Sequence, residues 1–139
     1  MRALVAVMAL SLALAACDTV SQSVQGLRDR LADIDIEETL EGLRDCDRLS
    51  DTFVGLVGGA ADTVDSLAER TNGRIPETDI REAVDKIAVT QFYEIAERIG
   101  CAQVQQRLEV VDQLRGLDPD TPAGEDFLEE ILRQVESGA

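Results

Sequence analysis

The stretch "IEETLEGLRDCDRLSDTFVGLVGGAADTVDSLAER", Ile36 to Arg70, decides the fold class. Its apolar positions run Ile36, Leu40, Leu43, Cys46, Leu49, Phe53, Leu56, Ala60, Val64 and Leu67, and every step is three or four residues. Residues at that spacing line one face of an α-helix. The spacing predicts one long helix, or two nearly collinear ones, from about residue 36 to Arg70. Inside it, Gly55, Gly58 and Gly59 each cost about 1 kcal/mol relative to Ala. Gly55 and Gly59 stand one turn apart beside the stripe. They mark an association face where another backbone approaches closely, or close packing inside the protein's own bundle, or a local break. The run Phe53 to Ala61 is too short to cross a bilayer, which takes about 20 apolar residues.

On the C-terminal side, "RTNGRIPETD" (Arg70–Asp79) is a connector. Asn72-Gly73 suits a left-handed helix end, Pro76 cannot continue a helix, and Thr78 or Asp79 can cap the next one. Ile80, Val84, Ile87, Ala88, Phe92, Ile95 and Ile99 predict a helix over about 79 to 99. Gly100 breaks the phase, so a kink or very tight turn is expected there. Cys101, Val104, Leu108, Val111 and Leu114 form the next stripe. "GLDPDTP" ends it, with Thr121 as cap and Pro122 at the first helical position. Phe127, Leu128, Ile131, Leu132 and Val135 face the core from a last helix.

On the N-terminal side, Val20, Val24, Leu27, Leu31 and Ile34 form one more stripe, and the opposite face carries Arg28, Asp29, Arg30 and Asp33. "DIDIEE" shifts the phase, and Asp35 with Glu38 has the spacing of a capping box. Residues 17–23 are small and polar and read as a tether. The sum is an all-α bundle of about five helices, an acidic domain over residues 24–139.

Composition agrees. The aromatics are Phe53, Phe92, Phe127 and Tyr93, with no Trp, so Leu, Ile, Val and Ala must build the core. No run alternates apolar and polar residues as a half-buried strand does. There are 28 acidic against 13 basic residues, for a net charge of −15. That balance excludes nucleic acid, whose binding needs Lys and Arg on phosphates. It equally disfavours adsorption to anionic lipid. It keeps the surface solvated, or suits a basic partner or divalent cations.

The chain opens with Met1-Arg2 and an apolar run from Ala3 to Ala16 interrupted only by Ser11. This is the layout of a signal peptide over residues 1–16, too short for a spanning helix. Leu14-Ala15-Ala16-Cys17 resembles the lipobox of bacterial lipoproteins. The resemblance covers only the first seventeen or so residues. It implies cleavage before Cys17 and a diacylglycerol thioether on its sulfur, often with a further acyl chain on the new amino group. It therefore implies a chain anchored to a bacterial membrane, facing the periplasm or the cell exterior. Two or three acyl chains anchor stably where one does not. Asp18 resembles the inner-membrane retention signal of enterobacterial lipoproteins. Losing residues 1–16 removes Arg2 and no acid, which leaves twelve basic and 28 acidic residues and a charge of −16. A plain secreted protein and an uncleaved anchor are the competing readings.

In that compartment disulfides form. With Cys17 acylated, Cys46 and Cys101 remain as an even pair on apolar stripes, either bridged or two buried free thiols. A bridge would close a loop of about 55 residues, worth roughly 4 kcal/mol in the chain-entropy model.

Chemistry is sparse. The chain has no His, which removes His-based acid/base catalysis, the Ser-His-Asp triad and His-containing zinc sites. Two thiols are too few for a structural zinc. Lys86 is the single lysine and reads as a surface charge beside Asp85. The carboxylate pairs Asp33/Glu37 and Glu125/Glu129 lack an aromatic-lined sugar cleft. "DPDTPAGED" offers Asp118, Asp120 and Asp126, but Pro122 stands where a calcium loop needs a ligand. "GLVGGA" lacks the Lys and Ser/Thr of a phosphate loop. No enzyme, cofactor or metal is expected. The expected role is a membrane-anchored, non-catalytic envelope module that binds another protein or serves a structural purpose. The alternative is a carrier holding a small apolar ligand between helices, which needs an enclosed cavity on the scale of roughly 300–1,000 Å³.

Overall fold

The computed structural model describes residues 36–87 and 89–138, and every statement below concerns them. Six helices follow in chain order: α1 (Ile36–Glu41), α2 (Cys46–Arg70), α3 (Glu77–Ile87), α4 (Val89–Arg98), α5 (Gln103–Arg115) and α6 (Pro122–Ser137). No strand occurs among the described residues, so the domain is an all-α bundle. The signal segment, Cys17, Asp18, the tether and the stripe from Val20 to Ile34 lie outside the described residues.

Of the one long helix or two that the spacing allows, two form, separated by residues 42–45. Asp45 ends the interruption. Its backbone is extended, and its Oδ1 accepts the N–H groups of Asp47 and Arg48 at 2.9 and 3.1 Å. A cap of this kind satisfies N–H groups that the first turn leaves orphaned. Leu43 donates its N–H to the Leu40 carbonyl in a turn. The three-residue spacing of Leu40 and Leu43 thus fits a turn as well as a helix.

α2, 25 residues long, is the central element and packs most extensively on α6 and α5. Its buried residues are Leu49, Ser50, Phe53, Val57, Ala60, Ala61, Val64, Asp65, Leu67 and Ala68, so the buried band is wider than a single stripe. Phe53 stacks on Phe92 of α4 at 4.4 Å between ring centroids, and Tyr93 meets Phe92 edge-on at 5.2 Å. Such pairs add to the apolar area that their rings bury. Three of the four aromatics therefore form one cluster, and Phe127 of α6 is fully buried as well.

The helix ends follow the sequence. After α2, Asn72 is left-handed (φ 54°), with its N–H on Glu69 O, and the Gly73 N–H returns to Ala68 O at 2.7 Å. After α4, Gly100 is left-handed (φ 83°), with its N–H on Glu97 O, and the Cys101 N–H returns to Ala96 O at 2.9 Å. Both are Schellman closures, and the left-handed residue is why Asn or Gly is needed there. α3 begins at Glu77, directly after Pro76, whose carbonyl accepts from Asp79 and Ile80. Thr78 and Asp79 therefore sit in the first turn, not at the cap. The residues predicted as one helix over 79–99 are helical as α3 and α4, and Ala88 between them lies outside the described residues. Thr121 and Pro122 open α6 as expected.

Cys46 and Cys101 form a disulfide, with their Cα atoms 5.8 Å apart. The bond joins the first residue of α2 to the loop between α4 and α5. The buried Gln106 donates its Nε2 hydrogen to the Cys46 carbonyl nearby.

Candidate functional site

α5 departs most from the sequence expectation. The stripe from Cys101 to Leu114 places Val104 and Leu108 in the core, yet they are 73 % and 66 % exposed. The buried face of α5 is instead Gln106, Val110, Val111 and Leu114. The cause lies at Gly100. Cys101 belongs to the loop, and α5 starts at Gln103 after Ala102, so the phase counted from Cys101 does not carry into the helix. Val104 and Leu108 consequently form an apolar pair one turn apart that no described element covers. Asp47, Ala102, Gln105, Glu109 and Asp112 line the same shallow surface depression.

Asp47 also begins a ridge on α2. Asp47, Asp51, Gly55 and Gly59 follow at four-residue steps, so they lie one above the other. Asp51 Oδ1 accepts from Gln113 Nε2 of α5 at 3.3 Å, which places this ridge along the α2–α5 flank. Gly55 and Gly59 are exposed, and a Cβ on either would meet nothing within 4 Å. Among the described residues nothing packs closely on them. Gly58 alone has a neighbour, Leu117, in ordinary contact.

A second constellation escaped the sequence reading. Asp65 of α2 is buried, and its carboxylate accepts three hydrogen bonds from the connector before α6. The donors are Asp120 N (2.8 Å), Thr121 N (3.1 Å) and the Thr121 hydroxyl (2.5 Å). Thr121 Oγ1 in turn accepts from Gly124 N at 3.1 Å. The negative charge stands at the positive end of α6, where a helix dipole favours it. A Cβ at Gly124 would stand 2.9 Å from both the Asp65 Cγ and the Pro119 Cβ, so only glycine fits. "DPDTPAGED" is thus a clasp that satisfies itself within the fold. No group of three or more His, Cys, Asp or Glu among the described residues is placed to hold a metal.

A third group closes the other end of α6. The Tyr93 hydroxyl donates to the Val135 carbonyl at 2.7 Å, and the Arg107 guanidinium lies over the Tyr93 ring at 5.7 Å. This is cation–π geometry. Burial pushes the Tyr93 phenol up from its ordinary value near 10, against the opposing pull of Arg107. The phenol stays neutral where a free tyrosine ionises. Its contribution to stability is complete below pH 10 and is lost as pH rises through the raised value.

Two other concavities among the described residues are open to solvent and lined largely by charge. One is edged by Glu77, Arg81, Asp126 and Glu130, another by Arg115, Glu129, Arg133 and Glu136. Among the described residues no helix is long and apolar enough to cross a membrane. No protein-family model, curated protein or solved structure matches this chain.

Proposed function

We propose that the chain is a lipid-anchored envelope protein that binds another protein without catalysis. Acylation of Cys17 would hold the acidic bundle at a bacterial membrane, and Asp18 favours the inner one. Confinement to a surface raises its effective concentration for neighbours. The observation that carries the binding role is the exposure of Val104 and Leu108, side chains of a kind that usually enter a core. They sit together on one face rather than singly, which is the pattern of a contact surface.

A photo-crosslinking amino acid placed at position 108 of the full chain, activated in intact cells, is the test. The expected result is one discrete adduct with an envelope protein, absent when the crosslinker stands at the exposed Glu94 of α4. Adducts only with abundant, unrelated proteins would contradict the reading.

A further inference from the structure

Resting on that reading, we propose that the Val104–Leu108 face of α5 and the adjoining α2 ridge form a docking surface for a cationic amphipathic helix of the partner. The surface has an apolar centre and an acidic edge. Val104 and Leu108 supply two apolar side chains one turn apart. Asp47, Glu109 and Asp112 stand around the same depression, and no basic residue lines it. The nearby cation of α5, Arg107, turns away and lies over Tyr93.

Further along α2, two and three turns beyond Asp47, bare backbone is presented at Gly55 and Gly59, with nothing described within 4 Å of where a side chain would begin. Three helix-interior glycines on α2 cost helix stability, about 1 kcal/mol each against Ala. Within the described residues only Gly58 has a neighbour. Close approach of a partner backbone is what Gly55 and Gly59 would permit.

Charge selects the occupant. The whole chain carries −15, so a second copy would bring Asp47, Glu109 and Asp112 against their own counterparts. An anionic lipid surface is repelled for the same reason. A helix with leucines on one face and lysines or arginines beside them meets both the apolar centre and the acidic edge. Helix-in-groove recognition uses anchors at this spacing, and matched charge speeds encounter and excludes wrong partners.

The test uses the mature full chain with Cys17→Ser, its disulfide formed. The probe is a synthetic amphipathic Leu/Lys helix labelled for fluorescence anisotropy. A scrambled peptide of the same composition and a Leu/Glu counterpart serve as controls. The Leu/Lys helix is expected to bind, and more weakly as salt rises. Val104→Ser with Leu108→Ser should weaken it by about tenfold or more. Asp47→Asn, Glu109→Gln and Asp112→Asn together should weaken it and flatten the salt dependence. Equal charge removal on α3 and α4, by Asp85→Asn, Glu94→Gln and Glu97→Gln, should leave the affinity nearly unchanged. All these side chains are exposed, so unchanged circular dichroism is expected throughout.

Equal binding of the scrambled peptide, or no loss in the Val104/Leu108 variant, overturns the proposal. So does a dimer in sedimentation that Leu108→Ser abolishes, since a second copy would then be the occupant. Failure here with a discrete crosslink from position 108 refutes the cationic helix and leaves the binding role standing. Failure of both refutes both.

Discussion

Replacing Cys46 and Cys101 together by Ser is expected to lower the stability of the bundle by about 4 kcal/mol. The magnitude comes from the loop, which spans 55 residues of sequence. Without the bond, that loop regains its freedom in the unfolded chain. The loss is a large share of a domain stability on the order of 5–15 kcal/mol. The bond also fixes the first turn of α2 against the loop that launches α5. Urea denaturation of the full chain carrying Cys17→Ser, oxidised and reduced, measures the effect. Reduction should reproduce the double substitution. A midpoint unmoved by either would mean that the helices hold their register without the bond.

Asp65→Ala is the second large effect, expected to cost about 3 kcal/mol. The carboxylate is buried and serves Asp120 N, Thr121 N and the Thr121 hydroxyl at once. Alanine leaves these donors facing a small void and removes the negative charge from the α6 N-terminus. Asp65→Asn keeps the shape but turns an amide toward donors that need an acceptor, so an intermediate loss of about 2 kcal/mol is expected. Denaturant titration of the two variants checks the order. Equal stability of all three proteins would show that water replaces the carboxylate without cost.

Asp65 also shows what the sequence hides. A lone acid in a helix reads as a solvated charge, and its partners lie about 55 residues away in sequence. A signal was there: Val57, Ala61, Asp65 and Ala68 share one buried band at helical spacing. The apolar stripe alone does not include it. The break at residues 42–45 was hidden for another reason, since a turn and a helix both satisfy the Leu40–Leu43 spacing. The outward pair Val104 and Leu108 is hidden because Cys101, at the head of their stripe, is not in the helix.

Where local chemistry dictates geometry, the reading and the structure agree. Asn72 and Gly100 take the left-handed conformation that few other residues adopt. Thr121-Pro122 opens α6, and the two cysteines on apolar stripes meet. The proposed binding surface was legible only in part. Gly55 and Gly59 stood out as costly residues, but which way they face depends on the helices around them.

The most direct measurement is the intact mass of the mature protein extracted from bacterial membranes. The account predicts a chain beginning at Cys17 that carries the added mass of a diacylglycerol on its sulfur. A chain still beginning at Met1, or one with an unmodified Cys17, would contradict it.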